Sequence, residues 1–346
     1  MSPIAPLGVD YLTLDHLAGG RASGWPEVLG VARYAADAAP SGLLAGLPVS
    51  QVGTRPLCGS DALFEVWSAP GPLSSGQVGP VRYRASRDLI FGCVSIDELG
   101  EVERGSQALQ QATMRAYAAI FSCLDVVGLG PPVRIWNYVP EINRVVDGIE
   151  RYRLFNEARQ RAFQFANRSV RGDVPAACAL GAPAGGPLAV HFIAARGAGT
   201  AVENPRQQAA YDYPAEYGAF SPSFSRATLA NGATGHMLFI SGTASILGHR
   251  TVHVDDVVAQ TRETLHNIRA VVDEANRVAG AGHYAAERLK YKVYLRRPED
   301  MAAVVGEFAA ALGAGSPPVC LHADICRADL LVEVEATGVA TDDRWP

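Results

Sequence analysis

Near the end of the chain two glutamates stand two residues apart in Leu330-Leu331-Val332-Glu333-Val334-Glu335. The alternation has strand period, so Val332 and Val334 face one way and Glu333 and Glu335 the other. Same-face carboxylates at i and i+2 lie roughly 6.5–7 Å apart at their Cα atoms. If that face is covered, desolvation and mutual repulsion raise the pKa of at least one of them. A carboxylic acid that keeps its proton near neutral pH is what general-acid chemistry requires. An amphipathic strand with valines inside and glutamates in water is the competing reading, and the hexapeptide alone leaves both open.

Other residues could complete such a site. Arg159 follows Tyr152 and Phe155 and precedes Phe163 at helical intervals. It either snorkels to water or offers a guanidinium fork to a carboxylate. Arg296 and Arg297 follow a strand directly, where loops often hold ligands, and Arg297 is the candidate second clamp. Tyr213 and Tyr217 sit in a proline-punctuated loop, where ordered aromatics plug a core or cap a site, and Tyr213 is a candidate hydrogen-bond donor. Gly242 leaves room for close backbone approach. Cys326, in Ile-Cys-Arg beside a strand, reads as a small hydrophobe shaping the site rather than as a nucleophile. His249 and His253 lack a third ligand nearby, so no metal site is expected. Glycine-rich runs such as Gly181-Ala-Pro-Ala-Gly-Gly186 lack the strand–GxGxxG–helix setting of a nucleotide site.

The elements that must position these residues come from a chain of 346 residues, 48% hydrophobic and 19% charged. That composition supports packed cores, and its length fits two domains. The net charge of −5, with no basic cluster, gives nucleic-acid binding little support. The six cysteines form no C-x-x-C pair and suit reduced thiols. No signal peptide and no membrane-spanning run is read, so a cytoplasmic protein is expected.

Residues 1–60 are rich in Gly, Pro and Ala and are expected to be a largely irregular N-terminal extension. Strands are predicted over 62–68, 87–97, 133–139, 176–180 and 188–195, with helices over 105–127 and 148–165. A loop-like connection over 201–225 follows. Strands over 224–229, 237–241, 290–295, 319–325 and 330–336 then alternate with helices over 254–278 and 298–312. The order strand-strand-helix-strand-helix-strand-strand occurs twice, which points to one α+β fold used in tandem, over 61–200 and 226–338, before a tail at 339–346.

The second half resembles the RidA (YjgF-type) family. The matching segments are Leu238-Phe-Ile-Ser-Gly242, Val258-Ala-Gln-Thr-Arg-Glu-Thr-Leu-His-Asn-Ile268, Val293-Tyr-Leu-Arg-Arg-Pro-Glu-Asp-Met301 and Val332-Glu-Val-Glu-Ala336. The resemblance implies a mixed sheet with two helices on one face. Over residues 60 to 338 the chain is more specifically similar to the chorismatases, which share this chorismate-mutase-like fold. That likeness is carried by Trp136-Asn-Tyr-Val-Pro-Glu-Ile-Asn143, Tyr152-Arg-Leu-Phe-Asn-Glu-Ala-Arg159, Glu203-Asn-Pro205, Tyr213-Pro-Ala-Glu-Tyr-Gly218, Phe224-Ser-Arg-Ala227, the run from Phe239 to His253, and His322-Ala-Asp-Ile-Cys-Arg-Ala-Asp-Leu-Leu-Val-Glu333.

The resemblance implies release of pyruvate from chorismate without a cofactor. Glu333 would protonate the enol methylene carbon, and Arg159, Tyr152, Tyr213, Arg297 and Glu335 would meet the substrate. Hydrolytic members carry Ala where Gly242 and Cys326 stand here, so this chain looks like the 3-hydroxybenzoate-forming branch. Chorismate hydrolysis and a non-catalytic module for aromatic acids are the alternatives. RidA-like imine hydrolysis is disfavoured, because Pro317-Pro-Val-Cys320 lacks the arginine such sites use. A monomer or a homotrimer is expected.

Overall fold

The computed structural model describes residues 7–19, 27–37, 42, 44–57, 59–98, 105–197, 199–230, 236–280, 283–313 and 317–340. Part of the N-terminal extension, Cys58 and most of the predicted tail thus lie outside the described residues. Three sheets are built in chain order. The first contains β1 (Gly8–Thr13), β2 (Val28–Tyr34), β3 (Val49–Val52) and β5 (Leu63–Ser68), ordered β1-β5-β2-β3. Helix α1 (Leu14–Gly19) and the short β4 (Arg55–Pro56) lie among them in sequence.

The second sheet contains β6 (Ser74–Val78), β7 (Val81–Ala85), β8 (Leu89–Ile96), β9 (Pro132–Pro140), β12 (Ala176–Ala182) and β13 (Leu188–Ala195), ordered β12-β9-β13-β8-β7-β6. Helix α2 (Ser106–Val127), the hairpin β10–β11 (Val145–Val146 and Ile149–Glu150) and helix α3 (Arg151–Phe165) interrupt it. The third contains β14 (Thr200–Val202), β15 (Ala227–Ala230), β16 (Met237–Ala244), β19 (Lys290–Leu295), β20 (Val319–His322) and β21 (Val332–Val339), ordered β14-β15-β16-β21-β19-β20, with β4 at the far edge. The hairpin β17–β18 (Ile246–Leu247 and Arg250–Thr251), helix α4 (Val257–Ala279) and helix α5 (Met301–Leu312) complete it.

The second and third sheets repeat one pattern, six strands and two helices, with one parallel pair each: β9 with β12, and β19 with β20. The first sheet repeats its central part, with β2 parallel to β3 and antiparallel to β5. Register makes the equivalence residue by residue. Ala32 faces Glu65, Trp136 faces His191 and Lys292 faces Glu335 across matched strand pairs. Two residues further on stand Tyr34, Tyr138 and Tyr294, whose hydroxyls meet at 3.0 and 2.8 Å. The three sheets therefore surround one axis, and residues from all three share a central core.

Each large sheet covers its outer face with two helices, the α+β arrangement expected. On α2, Leu109, Ala112, Ala116, Ile120 and Leu124 are buried at helical spacing against β8 and β13. That helix ends at Gly128 in the left-handed conformation, φ 72°, which a glycine adopts without penalty. Asp256 caps α4 by accepting from the Ala259 amide at 2.9 Å. Its face of Leu265, Ile268 and Val272 packs on the third sheet. Among the described residues no helix is long and apolar enough to cross a membrane.

Residues 1–60 differ from the irregular extension expected of them, since β1 to β4 and α1 fall there. Every residue of β2 is buried, so its sequence Val-Leu-Gly-Val-Ala-Arg-Tyr shows no alternation to betray a strand. The predicted connection over 201–225 holds the end of β14 and two short 3-10 turns. The strands expected to begin at 224 and to end at 325 are shorter, 227–230 and 319–322. The residues so released, 224–226 and 323–325, join the loops that reach the site.

Candidate active site

A cavity of about 240 Å³ opens between the second and third sheets. Tyr152 and Arg153 of α3 form one wall, and Tyr213, Tyr217 and Pro222 of the long loop form its cover. Gly242 and Ala244 of β16 lie opposite, Cys326 to Asp329 form the rim, and Glu333 of β21 stands at the base.

Glu333 pairs with Ala244 on one side and Tyr294 on the other, so its strand is fixed by both neighbours. It is 4% exposed. No arginine or lysine of the described residues forms an ion pair with it; its nearest polar contact is the Cys326 Sγ, 3.9 Å from Oε2. Burial, and then the charge of Glu335, push the Glu333 carboxyl up to about 8. Both causes anticipated from the sequence are present.

Gly242 makes that position possible. Between Ile240 and Thr243 the pairing of β16 with β21 shifts by one residue, a bulge that thrusts the backbone inward. A Cβ on Gly242 would lie 1.9 Å from Glu333 Oε1 and 3.1 Å from the Cys178 Cβ. Burial, and then the charge of Glu333, raise the Cys326 thiol, so it is uncharged and unsuited to nucleophilic attack.

Glu335, expected on the substrate, is instead bonded behind the cavity. Its carboxylate accepts from the Tyr294 hydroxyl at 2.9 Å, from Lys292 Nζ at 2.6 Å and from Arg134 of β9. Burial opposes its ionisation, but Lys292 and Arg134 outweigh that and hold the carboxyl below its usual range. Lys292 also bonds Glu65 of the first sheet and the Tyr34 hydroxyl. A closed network of four charges thus fills the axis where the sheets meet.

The arginines divide into three kinds. Arg159 is buried, with its guanidinium 5.0 Å from the Phe155 ring and bonded to Asn156 at 3.0 Å. It forms no ion pair among the described residues, and its Nε has no hydrogen-bond partner. Arg297, expected as a clamp, lies away from the cavity and is half-exposed, 3.9 Å from Asp255. Its neighbour Arg296 instead binds the backbone oxygens of Ile325, Arg327 and Leu330, which ties down the rim loop.

Besides Arg153 of the wall, two cavity arginines escaped the sequence reading. Arg226 donates to the Tyr213 hydroxyl at 2.7 Å and leaves its Nε unpartnered. Arg327 lies 4.2 Å from the Tyr217 ring and 5.2 Å from that of Tyr213, with Nη2 unpartnered. Each stands inside a segment of the chorismatase likeness, Arg226 just before β15 and Arg327 in the loop between β20 and β21. His249 packs edge-on against Tyr217 and supports the cover.

Residues 65–194 match the family described as chorismatase FkbO/Hyg5-like, N-terminal. A 3-hydroxybenzoate synthase of Streptomyces hygroscopicus is 35% identical over 335 residues, covering 93% of this chain and 95% of that protein. A chorismatase of Streptomyces rapamycinicus is 35% identical over 337 residues, covering 95% and 98%. A crystal structure of a chorismatase superposes with a TM-score of 0.86 at 32% identity, covering 97% of this chain and 99% of that one. With that extent of likeness in sequence and fold, the chain belongs to the chorismatase family.

Proposed function

We propose that this protein is an enzyme converting chorismate to 3-hydroxybenzoate and pyruvate, with Glu333 as the general acid. The observation that carries the reading is the setting of Glu333: a buried carboxyl with no cation of the described residues bonded to it, at the base of a cavity otherwise furnished with arginines. Such a group holds a proton at neutral pH and can deliver it to carbon. The proton goes to the methylene carbon of the enolpyruvyl ether, whose central carbon becomes an oxocarbenium ion. The oxygen of the neighbouring ring hydroxyl, on C4, then attacks C3 as the bond from C3 to the ether oxygen breaks; that bond's electron pair stays on the ether oxygen, and the fragment leaves as pyruvate. The attacking hydroxyl returns its proton to the Glu333 carboxylate and leaves a 3,4-epoxide; its C4–O bond opens, and loss of the C3 hydrogen with protonation of the oxygen kept on C3 gives aromatic 3-hydroxybenzoate. The two products together hold all the atoms of chorismate, so no water is consumed.

Chorismate carries two carboxylates, and Arg226 and Arg327 offer unpartnered N–H groups at the cavity. Arg159 is a buried cation behind Tyr152 whose charge an anionic substrate would balance. Tyr213 and Tyr217 close over the ring and exclude water. Likeness to a 3-hydroxybenzoate synthase supports the aromatic product, as do Gly242 and Cys326, the residues that distinguish that branch.

The test is to incubate the purified protein with chorismate and follow pyruvate and aromatic absorbance together. Equimolar pyruvate and 3-hydroxybenzoate is the expected result. Pyruvate without an aromatic product moves the chain to chorismate hydrolysis. Binding without pyruvate overturns the enzyme reading in favour of an aromatic-acid binding module.

A further inference from the structure

The network on the axis between the three sheets does not line the cavity described above, yet it adjoins Glu333 along β21. Its charges can be counted. Arg134 and Lys292 contribute two positive charges, and Glu65 and Glu335 two negative, each anion bonded to at least one cation. The remaining acceptors are met by neutral donors, Tyr294 on Glu335 and Tyr34 and Trp67 on Glu65. The network is therefore balanced without Glu333, and an ionised Glu333 would add a second buried carboxylate beside Glu335 with no cation bonded to it among the described residues. That cost is several kcal/mol for an isolated ion in protein, so the group keeps its proton instead.

We infer that Glu335 and Arg134 are positioning residues which act through Glu333: the balance of charge they maintain keeps Glu333 protonated and so sets the pH range of the acid. The inference rests on the reading of Glu333 as that acid. The other groups facing Glu333 are uncharged, with one exception. Cys326 from the rim loop and Cys178 from β12 are thiols raised by burial, and cross-strand Tyr294 of β19 is likewise raised. Arg226 from the loop before β15 is the one further cation that lowers Glu333. β16 presents the backbone of Gly242 and the methyl of Ala244. Glu335 and Arg134 are thus the levers of opposite sign, an anion that raises the Glu333 carboxyl and a cation that lowers it.

The sequence of charges also gives the first sheet a role at a site it does not line. Glu65 holds Lys292, which holds Glu335, which faces Glu333. The N-terminal segment supplies a counter-charge as well as packing.

The test reads the protonation of Glu333 directly, by the infrared carbonyl band of a protonated carboxyl that is absent from Glu333→Gln, titrated against pH without substrate. Glu335→Gln is expected to lower the midpoint by one unit or more, a tenfold loss of proton affinity. Arg134→Met is expected to raise it. The double variant Arg134→Met/Glu335→Gln removes both charges together and is expected to restore the midpoint toward that of the parent, with better folding than either single variant, because no buried charge is left unpaired. Removal of mere structural support would not give shifts of opposite sign that cancel. Midpoints that stay within 0.3 unit of the parent (roughly 0.4 kcal/mol) overturn the inference, as does a parent protein with no such band near neutral pH. A normal titration pattern with no pyruvate from chorismate would instead refute the proposed reaction and leave the charge balance standing.

Discussion

Gly242→Ala is the substitution whose consequence the geometry fixes most closely. The added methyl would sit 1.9 Å from Glu333 Oε1, whereas ordinary contact begins near 3.4 Å, so the carboxyl must retreat by about 1.5 Å. The methyl cannot relieve the clash by moving away, because Cys178 Cβ stands 3.1 Å behind it. The carboxyl is the end of a flexible side chain, so the fold should survive with a loss of about 1 kcal/mol or less, at the low end for overpacking. Catalysis should not survive so well. A displacement of about 1 Å of a reacting group costs on the order of 10²-fold in rate, near 3 kcal/mol of barrier. The assay is kcat for pyruvate release, with the products separated by chromatography and the melting temperature measured in parallel. The expectation is a fall in kcat of about 10²-fold, a smaller share of aromatic product, and a melting temperature within a few degrees of the parent. A kcat within threefold of the parent, with the product ratio unchanged, would show that the position of the Glu333 carboxyl does not govern the reaction.

Glu333→Gln should reduce kcat by 10²- to 10⁴-fold while chorismate affinity, measured by calorimetry, changes less than threefold. The same variant should be more stable than the parent. Its folded carboxyl is raised from 4.5 to about 8, so the folded state of the parent loses stability as pH climbs between those values, and the gain in melting temperature should grow across that interval. In the parent, kcat should hold below about pH 8 and fall above it, as the acid loses its proton; a profile flat to pH 9.5 would contradict this. Arg226→Ala and Arg327→Ala should each raise KM roughly tenfold to a hundredfold, as expected when a charged hydrogen bond worth about 1.5–3 kcal/mol is lost, with smaller effects on kcat. Light scattering should find a monomer, because the inner faces of all three sheets are already buried against one another.

How much of this was legible in the sequence depends on which contacts set each feature. Period determines the helices and most strands: α2, α3, α4 and α5 each show an apolar face at helical spacing, and β21 shows strict alternation. That alternation put Glu333 and Glu335 on one face, which the structure shows to be covered, and Tyr152, Tyr213, Gly242 and Cys326 do meet at one cavity. β2 was not legible, because burial on both faces removes the polar residues that mark a strand. Nor could the sequence separate the fates of the two glutamates. Glu335 is held below the usual carboxyl range by Lys292 and by Arg134, 201 positions away on another sheet, whereas no arginine or lysine of the described residues pairs with Glu333, which burial and Glu335 push up. Arg226 and Arg327 went unnoticed for a similar reason: the loops before β15 and after β20 aim them at the cavity, and Arg297, two residues beyond a well-read strand, points away. Local spacing determines what each residue can do, but the charge of its neighbours is a property of the assembled sheets. Only the tertiary structure decides that.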